Sequence, residues 1–306
     1  MRSIKIKAPA TVANLVCGFD ILGLCVDDPY DVMEVRLLDE RKIIVRSADG
    51  YPLPTDPSQN TAGAPLIEMV NELKDDIGFE VLIHKNIKPG SGVGSSAASA
   101  AGAVVAANLL LNKRFSNEDL VRFAMFGEKV ASGVKHADNI APCIYGGVVL
   151  IRSIFPLDIV TLPSPELHVS IVHPQIEVRT ADARQILRKE VLLKDAIRQW
   201  GNIAGLVAGF MKNDLDLIGR SMEDVIIEPA RSILIPGFDD IKRKSKEAGA
   251  LGGGISGSGP SIFMLSKDES TATAVANEMH IIYDRLGIAN KTYVTRISQT
   301  GVSIID

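Results

Sequence analysis

The chain has 306 residues, 46% of them hydrophobic, and a formal net charge of −4 at pH 7. A chain of this length and apolar content can bury enough surface for two domains or one large one. Its basic residues are scattered rather than clustered, which argues against nucleic acid or an anionic membrane surface as the main partner. A small-molecule ligand is the expectation that remains.

The three cysteines (Cys17, Cys25 and Cys143) are separated along the chain and odd in number. Their spacing fits neither a disulfide framework nor a zinc site, and predicts reduced thiols. The N-terminus lacks the apolar segment of a signal peptide, and no run elsewhere approaches the roughly 20 apolar residues of a membrane helix. We therefore expect a cytoplasmic protein without a membrane partner.

Hydrophobic periodicity predicts a mixture of strands and helices in the first half of the chain. The predicted strands cover residues 2–8, 31–38, 42–46, 79–84 and 143–151. The predicted helices cover residues 65–77 and 95–111, and a third begins after Ser116, where Asp119 completes a capping-box pattern, and runs past Glu128. Residues 136–142 are predicted as a loop.

A proline-punctuated stretch at residues 155–166 predicts a boundary between two domains, 1–160 and 161–306. In the second half we predict helices at 181–211, 214–224, 237–248 and 269–286, and strands at 168–172, 261–265 and 292–297. A second glycine-rich turn, residues 249–261, separates the third of these helices from a strand. The order of elements favours an α+β domain.

The stretch PGSGVGSSAAS, residues 89–99, lies between a predicted strand and a long apolar helix. Glycines at a helix start let a ligand approach the backbone closely, and the unpaired N–H groups of the first turn suit an anion. The stretch lacks the lysine of a P-loop, has GxGxG rather than GxGxxG spacing, and contains no GxSxG elbow. The interpretation that remains is a phosphate-binding loop that belongs to none of these three classes.

A serine hydroxyl at the start of such a helix can bind Mg²⁺ when a carboxylate joins it. Glu128 is the candidate for this carboxylate. The alternative interpretation is that Glu128 is a solvated residue on a helix face without a role in metal binding.

These motifs together resemble the GHMP kinases, a superfamily of small-molecule kinases. Residues 89–99 are similar to its phosphate-binding motif, residues 8–24 (APATVANLVCGFDILGL) to its first motif, and residues 249–263 (GALGGGISGSGPSIF) to its third. The first motif, residues 134–142 (VKHADNIAP) and residues 228–238 (EPARSILIPGF) have the form found in the homoserine kinase branch. Motifs in the right order over most of the chain make the resemblance specific.

The resemblance implies an α+β protein of the GHMP kinase fold, with a left-handed βαβ unit in the N-terminal ATP-binding domain and a ferredoxin-like C-terminal domain. It implies that ATP and L-homoserine give ADP and O-phospho-L-homoserine on the route to threonine, with Mg²⁺ as cofactor. The resemblance leaves open whether two copies of the chain form a homodimer.

The resemblance also implies residue roles. Ser96, Glu128 and Asn139 would act in catalysis, and Ser96 and Glu128 would also bind Mg²⁺. The ATP-binding residues would be Pro89, Gly90, Ser91, Gly92, Val93, Gly94, Ser95, Ser96, Ala97, Ala98 and Ser99. The substrate would be bound by Asn14 and Asn139 at its hydroxyl, by Asp20 at its ammonium, by Arg184 and Arg231 with Thr180 at its carboxylate, and by His136 in the pocket wall.

The sequence departs from two patterns of the superfamily. Several GHMP kinases have a catalytic aspartate where Asn139 stands, and an asparagine cannot take a proton. The implied mechanism is direct in-line attack, helped by positioning and charge stabilisation rather than a general base, with Asp138 as a neighbour of interest. The first motif usually has serine at Val12 and Gly-Pro at Val16 and Cys17, which leaves the shape of that loop open.

Three rival functions stay open at this point. The first is another GHMP kinase that acts on mevalonate, shikimate or a sugar. The second is a catalytically silent nucleotide-binding or sensor protein on the same scaffold, which the presence of Ser96, Glu128 and both arginines disfavours. The third is a dinucleotide-binding oxidoreductase.

Overall fold

The computed structural model describes residues 2–305, which form eleven β-strands and ten α-helices. The strands are β1 (Ser3–Ala13), β2 (Leu22–Leu38), β3 (Ile43–Ser47), β4 (Gly78–His84), β5 (Val148–Ile154), β6 (Leu157–Leu162), β7 (His168–Pro174), β8 (Gly252–Ile255), β9 (Ile262–Ser266), β10 (Asn290–Arg296) and β11 (Ser303–Ile304). The helices are α1 (Gly63–Leu73), α2 (Ser95–Leu110), α3 (Asn117–Ser132), α4 (Ile140–Tyr145), α5 (Thr180–Gln185), α6 (Leu193–Lys212), α7 (Leu215–Ser221), α8 (Glu228–Arg231), α9 (Phe238–Glu247) and α10 (Glu269–Arg285). No helix within residues 2–305 combines the length and apolar character needed to cross a bilayer.

The first sheet has the strand order β11-β1-β2-β4-β3, and β5 joins β2 to β6. Its neighbours are antiparallel except for β3 and β4, which are parallel and connected through α1 as a βαβ unit. The division predicted at residue 160 falls inside β6, which pairs in this sheet, and β11 returns to it from the C-terminus. The predicted domain limits stay a prediction.

The second sheet has the order β10-β7-β9-β8, and its pairs are antiparallel. In chain order its strands are numbered first to fourth from β7 to β10, so the spatial order is fourth, first, third, second. With helices between β7 and β8 and α10 between β9 and β10, this is the ferredoxin-like βαββαβ arrangement. The predicted α+β class and ferredoxin-like C-terminal half are confirmed.

Helix α2 is buried around most of its circumference, as its alanine-rich sequence predicts. It belongs to the large apolar cluster that also contains side chains of β1, β2 and β4. Because the start of α2 follows directly on the glycine-rich stretch, the core of the first half fixes where that stretch lies.

Several sequence predictions were wrong in detail. The loop predicted at residues 136–142 extends only to Asn139, because α4 begins at Ile140. Residues 143–151 are not one strand, because α4 occupies their beginning and Gly146, with φ 75°, ends the helix before β5. The helix predicted at 181–211 is two helices separated by residues 186–192. The glycine-rich turn contains the buried strand β8, whose glycines the β-propensity rules count against a strand.

Candidate active site

A cavity of about 490 Å³ lies where the two halves of the chain meet. Most of the predicted site residues line it: Asn14, Asp20, Pro89, Gly90, Gly92, Gly94, Ser95, Ser96, Ser99, Glu128, His136, Asn139, Thr180, Arg184 and Arg231. The other predicted ATP-binding residues, Ser91, Val93, Ala97 and Ala98, have side chains buried away from solvent. The tertiary structure thus gathers residues that the sequence spreads over more than 200 positions.

Glycine is required at two positions of the loop that precedes α2. Gly92 and Gly94 have φ of 84° and 73°, in the left-handed region that other residues rarely adopt. A Cβ on Gly92 would lie 2.6 Å from the Gly259 carbonyl oxygen, and a Cβ on Gly94 would lie 2.1 Å from Thr11 Oγ1. The loop therefore packs against both the first motif and the C-terminal glycine turn.

Hydrogen bonds fix this loop from both halves of the chain. Ser256 Oγ donates to the Gly92 carbonyl oxygen at 2.7 Å, and the Thr11 amide donates to Val93 O at 3.2 Å. Gly94, the N-cap of α2, supplies no side-chain cap, so the N–H groups of the first turn are available to an anion. The geometry is that of a preformed phosphate cradle.

Ser96 and Glu128 meet beside this cradle. Ser96 Oγ donates to Glu128 Oε2 at 2.9 Å, although α2 and α3 bring these residues from 32 positions apart. Burial raises the pKa of the Glu128 carboxyl, and the hydrogen bond from Ser96 opposes that rise. The pair supplies two hard oxygen ligands, and residues 2–305 contain no group of three or more His, Cys, Asp or Glu side chains that could hold a metal by themselves.

A buried lysine that the sequence reasoning overlooked supports the start of α2. Lys85 forms an ion pair with Asp31, and Lys85 Nζ also donates to Ser95 O at 2.9 Å and to Ser99 Oγ at 3.0 Å. The two charged side chains are 2% and 0% exposed. Burial lowers the pKa of Lys85, and the Asp31 carboxylate opposes this. The position of Lys85, directly after a predicted strand and just before the glycine-rich stretch, is the sequence feature that could have identified it.

The charged end of the cavity contains Asp20, Arg184 and His136. The Arg184 guanidinium donates to both oxygens of Asp20, with N to O distances of 3.0 to 3.2 Å. His136 Nδ1 lies 3.7 Å from Asp20 Oδ1, and neither ring nitrogen has a hydrogen-bond partner. Burial lowers the pKa of His136, which favours the neutral ring, and the charge of Asp20 opposes this shift. Asp20, predicted to bind the ammonium of a substrate, and Arg184, predicted to bind its carboxylate, form an ion pair with each other.

Two backbone carbonyl groups hold the guanidinium of Arg231. Arg231 is 3% exposed, donates through Nε to Ala183 O and through Nη1 to Gly257 O, both at 3.0 Å, and lies 4.8 Å from the ring centroid of Phe19. Burial, and then the charge of Arg184, lower its pKa to about 10. The Arg184 guanidinium also lies 5.4 Å from the centroid of the Phe19 ring, so one aromatic ring attracts two cations. Sequence reasoning missed Phe19, which no pattern distinguished from a core residue.

The loop of the first motif is strained where the sequence departs from the superfamily pattern. Val16 has φ of 68°, the conformation that explains glycine at this position of the pattern. Asn14 and Asp20 are also left-handed, and the Asp20 amide donates to Asn14 Oδ1 at 3.0 Å. Val12, the other departure, is fully buried in β1. The backbone at Val16 thus keeps the left-handed conformation that glycine adopts easily. Such backbone strain is typical of functional sites.

The two predicted asparagines are anchored within the protein. Asn14 Nδ2 donates to Gly257 O at 2.8 Å, so both ends of its amide are engaged. Asn139 Oδ1 accepts from Thr11 Oγ1 at 2.8 Å, which leaves its NH₂ group to serve a ligand. Thr180 Oγ1 lies 3.2 Å from Ser258 Oγ on the C-terminal glycine turn. Their roles towards a substrate stay predictions.

Asp138 is a buried carboxyl in the same cavity. Burial, and then the charges of Asp20 and Glu128, raise its pKa to about 7. A carboxyl that is easier to protonate in the folded state than in the unfolded state takes up a proton on folding. Its contribution therefore lowers the free energy of unfolding as the pH rises from about 4 to about 7.

We expect Asp138→Asn to be stabilising above neutral pH and nearly neutral near pH 4. The gain in the free energy of unfolding should grow through that window to at most about 4 kcal/mol, since one pKa unit corresponds to about 1.4 kcal/mol. Urea unfolding at a series of pH values measures it, with the exposed Asp239→Asn as the control. Parallel pH profiles of wild type and Asp138→Asn would contradict the expectation.

Cavity-lining residues 51–54 and 59–61 also went unnoticed in the sequence, because this segment has no periodic pattern. It is a surface loop, and loops that carry function lack the regular spacing from which helices and strands are predicted.

Comparison with known proteins agrees with this geometry. Residues 64–147 match the family model "GHMP kinases N terminal domain", and residues 206–285 match "GHMP kinases C terminal". A protein of Chloroherpeton thalassium named homoserine kinase is 43% identical to this chain. The alignment is 319 positions long with its gaps and covers 100% of both chains. A homoserine kinase of Methanococcus maripaludis is 42% identical, with 88% of this chain and 89% of the relative covered.

Solved structures give the same result. The crystal structure of homoserine kinase from Cytophaga hutchinsonii superposes with a TM-score of 0.95 at 48% identity, covering 100% of this chain and 98% of the other. The mevalonate kinase of L. major, at 16% identity and a TM-score of 0.71, shares the fold. The matched domains, the full-length relatives and the three converging motifs show that this chain belongs to the GHMP kinase family.

Proposed function

We propose that this protein transfers the γ-phosphoryl group of ATP to the side-chain hydroxyl of L-homoserine, a step on the route to threonine. It is an ATP-dependent small-molecule kinase of the GHMP family, and its full-length relatives are named homoserine kinases. The observation that carries the proposal is one cavity with a glycine-rich anion cradle at one end and a paired Asp20 and Arg184 at the other.

The paired charges suit a zwitterionic acceptor. An amino acid can replace the internal ion pair group by group, because its carboxylate takes the guanidinium and its ammonium takes the Asp20 carboxylate. Mevalonate has a carboxylate but no ammonium, and would leave the half-buried Asp20 carboxylate without a partner. An unpaired charge in a partly desolvated site is unfavourable, which disfavours mevalonate, shikimate and sugars as substrates.

The cradle would bind the triphosphate through the N–H groups at the start of α2, and Ser96 with Glu128 would hold Mg²⁺ against the phosphates. Their oxygens already meet at 2.9 Å, and two protein oxygens fit an ion that takes its other ligands from phosphate and water. Bound Mg²⁺ supplies neutralisation of the phosphate charge. Location in the cytoplasm belongs to this proposal as well.

The acceptor hydroxyl would attack the γ-phosphorus in line while the bond to the β-phosphate oxygen breaks and releases ADP. The hydroxyl proton would leave late, to an oxygen of the transferred phosphoryl group. Asn139 cannot accept the hydroxyl proton, and the Thr11 hydrogen bond turns its amide so that the NH₂ group can orient the substrate. The N–H groups of the cradle and Arg184 act by positioning and charge stabilisation. A loose transition state needs little help from a base early in the transfer.

A coupled ADP-release assay with homoserine, mevalonate, shikimate and galactose tests the proposal. We expect saturable, Mg²⁺-dependent ADP release with homoserine alone, above the background without an acceptor. A higher kcat/KM with any other acceptor would reassign the substrate. Bound ATP with no transfer to any acceptor would favour a silent nucleotide-binding protein.

A further inference from the structure

A buried ion pair lies beneath the glycine-rich loop that precedes α2. Asp31 belongs to β2, and Lys85 directly follows β4. Their side chains form an ion pair that is almost completely removed from solvent. Such a pair is weak evidence for stability, because the cost of removing two charges from water can exceed their attraction, and apolar residues often replace it without loss. The pair therefore invites a functional explanation.

Asp31 holds the end of the chain that enters the loop. Its Oδ1 accepts hydrogen bonds from the amides of Asn86 and Ile87, both at 2.8 Å, while Oδ2 pairs with Lys85. These three residues lead from β4 into the loop. Because all three donate to one carboxylate, β2 fixes the path by which the chain enters the loop.

Lys85 holds the end of the chain that leaves the loop. Its Nζ donates to Ser95 O at 2.9 Å and to Ser99 Oγ at 3.0 Å, both at the start of α2. Ser95 Oγ in turn donates to Ile87 O at 2.8 Å. The network therefore joins the two ends of the loop of residues 88–94 and closes its base.

Lys85 lines the active-site cavity, yet its contacts differ from those of a P-loop lysine, which reaches the phosphates directly. A lysine ammonium has three hydrogens to donate. Asp31, Ser95 O and Ser99 Oγ take all three, and the Asp31 carboxylate balances the charge. Lys85 therefore acts on a bound triphosphate through the backbone that it holds.

The loop between these fixed ends is rich in glycine. Gly90, Gly92 and Gly94 all have φ between 73° and 84°, and glycine loses more conformational freedom than other residues when it is ordered. If the ends are fixed when the protein folds, less of this freedom is lost when the ligand binds.

We propose that Asp31 and Lys85 are positioning residues that preform the loop for the triphosphate of ATP. This role rests on the function proposed above, because it takes ATP as the ligand of the loop.

The test is the double variant Asp31→Asn/Lys85→Met. Both charges disappear together, so no unpaired charge is buried, and the asparagine oxygen can still accept from the two amides. Its melting temperature should stay near that of the wild type and above those of the two single variants. Its affinity for AMP-PNP with Mg²⁺, measured by calorimetry, should fall about 10-fold for each loop residue that must become ordered on binding.

This separation of affinity from stability distinguishes positioning from a purely structural role, in which both would recover in the double variant. Inorganic triphosphate, as a competitor of AMP-PNP, should lose affinity by the same factor, while adenosine should bind as it does to the wild type. Arg36→Met/Glu80→Gln is the control, because it removes another ion pair between β2 and β4 that lies further from the loop along both strands. It should leave the affinity for AMP-PNP unchanged.

The possible failures are distinguishable. Wild-type affinity for AMP-PNP in the double variant would overturn the positioning role and leave the proposed function intact. A loss confined to adenosine would overturn the role as well, because Lys85 would then act on the nucleoside. A wild-type protein that binds no AMP-PNP would overturn the role together with the proposed function.

Discussion

Glu128→Gln is expected to lower kcat by about 10² to 10³, the usual effect of losing one charge-stabilising group in an active site. Glutamine keeps the size of the side chain and an oxygen that can accept from Ser96 Oγ, so the fold should survive. It loses the charge that would hold Mg²⁺ against the phosphates. Ser96→Ala removes the other proposed ligand and should have an effect in the same direction.

The measurement is kcat as a function of Mg²⁺ concentration, with the melting temperature as a check on folding. Because burial raises the pKa of Glu128, protons should compete with Mg²⁺ at a higher pH than for an ordinary glutamate, and this competition should disappear in Glu128→Gln. Glu118→Gln, an exposed change in the first turn of the same helix, is the control. If Glu128→Gln turned over at the wild-type rate when Mg²⁺ is limiting, Glu128 would not be a metal ligand.

Arg184→Lys is expected to weaken homoserine binding by about 10- to 150-fold, which corresponds to the 1.5 to 3 kcal/mol of a hydrogen bond to a charged group. Lysine keeps the charge but loses the planar fork that can pair with both carboxylate oxygens. Apparent affinity for ATP should change little. The effect is measured as KM for each substrate.

An amino alcohol that lacks the carboxylate separates substrate recognition from structure. It makes no contact with Arg184, so wild type and Arg184→Lys should phosphorylate it at similar, low rates. Arg179→Lys, at an exposed arginine just before α5, is the control for charge in this segment. Equal losses with homoserine and the amino alcohol would rule out the carboxylate contact.

Arg231→Lys should behave differently, although the sequence predicts the same role for both arginines. Lysine at this position would lose the hydrogen bonds to Ala183 O and Gly257 O and the stacking on Phe19. We therefore expect a lower free energy of unfolding in addition to weaker homoserine binding. Arg184→Lys is the cleaner test of recognition.

The sequence by itself determined the features whose information lies in contiguous residues. A glycine run followed by an alanine-rich helix carries its own turn geometry and its own unpaired N–H groups, and so the phosphate cradle was predictable at residues 89–99. The capping box at Ser116 fixed the start of α3 for the same reason. Motif order then supplied the family, and with it the fold and the pairing of Ser96 with Glu128.

Only the tertiary structure decided contacts between residues distant in the chain. The ion pair of Asp31 with Lys85 and the contact of the Phe19 ring with two arginines depend on how strands and loops pack, which no local pattern encodes. Strand β8 forms because β9 offers it partners, in spite of its glycines. The left-handed conformation of Val16 likewise depends on how the surrounding chain packs, because backbone strain is a property of the assembled molecule.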